Sequence, residues 1–202
     1  MKALFLNCSL KKSEEVSNTQ ALMDEVAKIL QTHHVECESV RIADYHIPYG
    51  ITDDAGDGDQ WPEILTKIRN ATIVVIGTPL WIGEKSSIAK NVLERINGSA
   101  NLTDENGQSI FYNKVGGVVV TGNEDGAKNA AASIVFSLNY MGFTMPPEPV
   151  AYWLGEAGPG PSFIEAEGIK SEFTAGQVKT MAANLLHVAT IFSTNPIPPE
   201  EN

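Results

Sequence analysis

Two stretches of this chain are almost wholly apolar and β-branched: residues 71–77 (Ala-Thr-Ile-Val-Val-Ile-Gly) and residues 114–121, with Val-Gly-Gly-Val-Val-Val-Thr at their heart. A strand with one face in water alternates apolar with polar residues. A strand without that alternation is covered on both sides, which in practice means a parallel sheet between two layers of helices. The rest of the sequence supplies those helices. From Ser17, Leu22, Val26, Ile29 and Leu30 repeat at i, i+4, i+7 and i+8, the spacing of one helix face. Residues 61–69, 86–97, 126–141 and 174–192 carry the same periodicity, and residues 2–7, 38–42 and 149–153 read as further strands. Strand and helix therefore alternate five times, and right-handed crossovers give the expected strand order 2-1-3-4-5, with ligands outside the carboxyl ends of the strands. The pattern alone also permits the order of dinucleotide-binding sheets.

An apolar share of 43% over 202 residues supports a single domain spanning 1–202. Its decoration is residues 154–173, a Gly- and Pro-rich stretch too long for a plain connector. Fourteen basic against 25 acidic residues give a net charge of −11, which excludes general binding to nucleic acid or to an anionic membrane. A phosphate would have to be held locally, by backbone amides and a few side chains. The first residues turn polar too soon for a secretory segment, and no window reaches the roughly 18 apolar residues of a membrane span, so a cytoplasmic location is expected. Cys8 and Cys37 lack metal-ligand spacing and read as reduced thiols. The acidic run in residues 49–60 fails as a calcium loop: with Gly58 at the sixth place, the third is Ala55 and the twelfth Ile64. It reads as solvated. No metal site is expected.

Chemistry should sit in the loops after strands one, three and four. The first loop runs from Asn7 to Thr19 and includes Ser9, Lys11, Ser17 and Asn18. It leads from a strand into a helix whose first amides need acceptors, an arrangement suited to a phosphate monoester and equally to a solvated cap. It is neither a Walker loop nor Gly-x-Gly-x-x-Gly. The second, Gly77-Thr78-Pro79-Leu80-Trp81-Ile82-Gly83, puts apolar and aromatic surface at the ligand edge, where it covers either a flat ligand or a neighbouring loop. The third, Thr121-Gly122-Asn123-Glu124-Asp125-Gly126, lets backbone approach a ligand closely or simply turns into the next helix.

Taken together, Ser-Leu-Lys-Lys…Ser-Asn-Thr, Thr-Pro-Leu-Trp-Ile-Gly…Lys-Asn-Val-Leu-Glu-Arg and Val-Val-Val-Thr-Gly resemble the flavodoxin-like NAD(P)H-dependent FMN reductase family over roughly residues 1–143. The resemblance implies a flavodoxin-like doubly wound sheet. It puts Ser9, Lys11, Ser17, Asn18 and Thr19 on the FMN phosphate. Pro79, Leu80, Trp81, Ile82 and Gly83 are expected along the ribityl chain and one ring edge, and Thr121, Gly122, Asn123, Glu124 and Gly126 along the other. The sequence departs from the pattern at Leu10, where proline is common, at Glu14-Glu15, and at Asn123-Glu124, where glycines are common.

The implied activity is an oxidoreductase that passes hydride or electrons from NADH or NADPH to a small acceptor such as a quinone or free flavin. The flavin carries the chemistry, so no catalytic acid or base is named. His33, His34, His46 and His187 lie outside the three loops. The alternatives are a flavodoxin-type electron carrier, which the acidic charge suits, and a flavin-free scaffold. FMN is expected over FAD, because the first loop suits a terminal monophosphate and a dinucleotide glycine fingerprint is lacking. A homodimer is also expected, with residues 153–163 closing a partner's site; the alternative is that this stretch folds back over its own sheet edge.

Overall fold

A computed structural model of the chain describes residues 1–199. Its strands are β1 (Lys2–Asn7), β2 (Glu36–Arg41), β3 (Ile73–Trp81), β4 (Glu84–Lys85), β5 (Val115–Gly122) and β6 (Val150–Leu154). Its α-helices are α1 (Asn18–Thr32), α2 (Trp61–Asn70), α3 (Ser87–Gly98), α4 (Ala127–Tyr140) and α5 (Glu172–Thr194). The sheet runs β2-β1-β3-β5-β6, with every neighbouring pair on this path parallel. With the two-residue β4 set apart, this is the expected order 2-1-3-4-5, the flavodoxin-like topology.

The sheet is buried on both faces because its strands alternate one apolar residue up and one down. Leu4, Leu6, Val74, Ile76, Val118 and Val120 face α2, α3 and α4. Ala3, Phe5, Ile73, Val75, Val115 and Val119 face α1 and α5. Gly77 lets α1 pack close on the sheet, since a Cβ there would overlap the Met23 sulfur.

β4 was not foreseen. β3 runs past the sheet to Trp81, reverses over Ile82-Gly83 and pairs antiparallel, Leu80 with Lys85 and Trp81 with Glu84. Both turn residues have positive φ, 53° and 71°, as a tight hairpin requires.

The acidic loop needs a correction. Asp59 is not solvated: its carboxylate is fully buried against the equally buried Arg95 guanidinium, at 2.5 Å from Nη2. Arg95 also donates to the carbonyls of Thr52 and Pro48 and lies over the Trp61 ring. One α3 side chain thus fastens the loop to the body of the protein.

Candidate functional site

The carboxyl ends of β1, β3, β5 and β6 open into a cleft of about 580 Å³. Parallel strands put all their carboxyl ends on one edge, so loops distant in sequence meet there. Of the expected site residues, Ser9, Lys11, Ser17, Asn18, Thr19, Pro79, Leu80, Trp81, Thr121, Gly122, Asn123 and Glu124 line the cleft, while Ile82, Gly83 and Gly126 do not. Ile82 is 94% exposed. Gly126, in the left-handed conformation at the start of α4, packs so closely on Gly83 that a Cβ would meet its Cα at 2.5 Å.

The first wall is the start of α1. Ser17 caps the helix, its Oγ accepting from Gln20 N–H at 3.1 Å and from Asn7 Nδ2 at 3.3 Å. Asn7 Oδ1 accepts from Ser9 N–H, which fixes the strand-to-loop corner. Arg41 Nη1 donates to the carbonyls of Lys11 and Lys12 from below. The backbone N–H groups of Asn18 and Thr19 have no acceptor among the described residues. Two free amides at a helix N-terminus and the residues Ser9, Lys11 and Ser17 therefore line the same part of the cleft. This donor set fits a phosphate monoester.

The second wall is Pro79, Leu80 and Trp81. Trp81 is 55% exposed at the mouth, leaving an aromatic face available to a flat ligand. Glu124 fixes this wall rather than pointing free: its carboxylate accepts from Ile82 N–H at 2.9 Å and Gly83 N–H at 3.2 Å. Asn129 Nδ2 donates to the Gly83 carbonyl. Beneath, Ser86 N–H donates to Thr78 Oγ1 and Ser86 Oγ donates to the Cys8 carbonyl, joining the second loop to the first. Burial pushes the Cys8 thiol far above its ordinary pKa, leaving it inert as a nucleophile.

The third wall starts at Thr121, whose hydroxyl meets that of Thr19 at 2.8 Å. Residues 155–163 form a fourth. With Trp153 and Phe163 behind them, Gly158 and Gly160 line the cleft, and the two rings pack edge to face at 5.7 Å. This stretch folds back over its own site instead of reaching outward. Leu10, Val16, Trp153, Gly158, Gly160 and Phe163 are the lining residues that sequence reasoning missed. Only the composition of residues 153–163, expected to close a partner's site, hinted at the last four.

The sequence profile of NADPH-dependent FMN reductases matches residues 1–156. Over 97% of its length the chain is 37% identical to the 8-demethyl-8-aminoriboflavin-5'-phosphate synthase of Streptomyces davaonensis, and it spans 80% of that protein. It is also 37% identical, over 94% of its length, to the divalent metal cation transporter MntH of Mycobacterium bovis, but spans only 28% of it. Among the described residues no helix is long and apolar enough to cross a membrane. The crystal structure of RosB with bound intermediate 8-demethyl-8-formylriboflavin-5'-phosphate superposes with a TM-score of 0.90 at 37% identity, over 98% of this chain and 82% of that one.

Proposed function

The chain belongs to the NADPH-dependent FMN reductase family, and from that premise we propose an FMN-dependent oxidoreductase that takes hydride from NADH or NADPH and hands hydride or electrons to a small acceptor such as a quinone or free flavin. The observation that carries this reading is the cleft itself: a helix start with two amides unpaired among the described residues at one end and an apolar, aromatic wall along the other. FMN, when bound, supplies the redox chemistry.

The chain's own residues bind, orient and exclude water. The amides of Asn18 and Thr19, the hydroxyls of Ser9 and Ser17 and the ammonium of Lys11 hold the phosphate. Pro79, Leu80 and Trp81 cover the flat part of the ligand, and Gly122 lets backbone approach its other edge. Glu124 keeps the second wall in place. A second copy of the chain completes the proposal: Phe136 and Tyr140 stack at 6.0 Å on the outer face of α4, both largely exposed, and such a pair suits a twofold interface.

A second reading has its own support. The relative that is 37% identical over 97% of this chain is named for making a flavin phosphate, so a flavin phosphate in this cleft could be substrate rather than cofactor.

One experiment separates the readings. FMN-loaded protein is supplied with NADH or NADPH and a quinone, and the flavin is then released and weighed. Steady nicotinamide oxidation with FMN of unchanged mass supports the oxidoreductase. A flavin of altered mass supports the second reading. Bound FMN with neither turnover nor alteration points to a carrier.

A further inference from the structure

The fourth wall of the cleft is tied down in an unusual way. Residues 155–163 bury little: Glu156, Ala157, Gly158, Pro159 and Pro161 are all exposed, and Phe163 alone is in the core. Hydrogen bonds hold this stretch instead: besides local bonds within residues 162–168, three of the four that tie it to the third loop lead to one residue. Asn123 Nδ2 donates to the Pro161 carbonyl at 2.8 Å and, more weakly, to the Glu156 carbonyl at 3.4 Å. The Asn123 carbonyl accepts from Gly158 N–H at 3.2 Å, and next to it the Gly122 carbonyl accepts from Gly155 N–H at 2.8 Å. At the far end Ile164 N–H donates to Asn18 Oδ1 at 3.0 Å. The stretch therefore bridges the third loop and the start of α1, and among the described residues it makes no hydrogen bond to the second loop at Trp81.

We propose that residues 155–163 are a strap that retains the flavin, and that Asn123 is the positioning residue that holds the strap shut; this rests on the FMN reading above. The strap closes the side of the cleft between the phosphate-binding end and the third loop. Traffic of donor and acceptor is left to the Trp81 side. Glycine at 158 and 160 lets bare backbone line the cleft, and a Cβ at Gly160 would come within 2.9 Å of the Glu156 carbonyl. Because so little apolar surface is buried, the strap opens far more readily than the protein unfolds, and its open fraction depends on the Asn123 amide. The shared family profile ends at residue 156. Most of the strap thus lies beyond the matched span.

The test replaces Asn123 by Ala and by Asp, the latter keeping the size without the amide donors. Three quantities are read: hydrogen exchange of the amides in 155–163, the rate at which bound FMN dissociates, and the melting temperature of the FMN-free protein. Both variants are expected to exchange faster in the strap and to lose FMN about tenfold faster, the effect of removing about one good hydrogen bond from the closed form, with melting close to wild type. Faster exchange with unchanged FMN dissociation overturns the strap as a retaining element. Unchanged exchange overturns Asn123 as its holder. Wild-type protein that takes up no FMN removes the flavin reading, and the proposal with it.

Discussion

The hydroxyls of Thr19 and Thr121 meet at 2.8 Å in the floor of the cleft, both side chains almost fully buried and 102 residues apart in sequence. This single contact joins the first turn of α1, where the Asn18 and Thr19 amides lack acceptors among the described residues, to the end of β5, where the third loop begins. Each hydroxyl is the other's partner.

Replacing one hydroxyl leaves the other unsatisfied. Thr19→Val or Thr121→Val is expected to cost roughly 1–3 kcal/mol, whereas the double variant recovers most of that loss, since two apolar groups of the same shape need no partner. A double-mutant cycle by chemical denaturation of the FMN-free protein measures the coupling. Simple additivity of the two losses contradicts the account.

Much of the architecture was legible because its signals are local. Runs such as Val-Val-Ile and Val-Val-Val report burial on both faces, and helical spacing reports each crossover. β4 escaped because its turn is encoded against type: Ile82 is β-branched, which gives no warning of a left-handed turn. Asp59 reads like its acidic neighbours as solvated, since nothing local announces an Arg95 thirty-six residues away. Asn18 and Asn123 drew attention as polar residues in ligand loops, but an amide serves a ligand and a neighbouring carbonyl equally well. Only the folded chain shows the Asn123 side chain donating to the Glu156 and Pro161 carbonyls and the Asn18 side chain accepting from Ile164 N–H.

The Asp59–Arg95 pair should be costly to break. Asp59→Asn leaves a buried guanidinium without its counter-charge, and roughly 3–5 kcal/mol of stability is expected to be lost. Burial alone would raise the Asp59 pKa. The Arg95 guanidinium and the N–H groups of Trp61 and Ala55 outweigh it and hold the carboxyl below the ordinary range. The stability from this lowered pKa is therefore present above the unfolded value of about 3.9 and is lost as pH falls through the lower folded value. Acid titration of wild type against Asp59→Asn should show this component only in wild type.

Ile82 offers a gain. Its φ of 53° sets a β-branched residue in the left-handed region, and its side chain is almost fully in water, so nothing packed would be lost. Ile82→Asn suits the tight turn before Gly83 and is expected to stabilise the FMN-free protein by about 1 kcal/mol, read from the denaturation midpoint. A lower midpoint would mean that the turn is not strained.

Lys114 predicts a rise of stability with pH. Burial, with Arg69 adding repulsion, pulls its pKa down to about 8, while its ammonium donates to the Arg69 and Ala71 carbonyls at 2.7 Å. Between about 8 and the unfolded value near 10.4, the unfolded chain holds more protons than the folded one, so folding is favoured as pH rises through that window. Wild type compared with Lys114→Met from pH 7.5 to 9.5 should show this slope in wild type alone.

The central claim is that this cleft holds FMN and lets a nicotinamide reduce it. The direct measurement is anaerobic mixing of FMN-loaded protein with NADH and, separately, NADPH, following the visible absorbance of the bound flavin. The account predicts that at least one of them bleaches the flavin, and that adding a quinone restores the colour with the FMN mass unchanged. Protein that holds FMN firmly yet keeps its full absorbance with both nucleotides would contradict it.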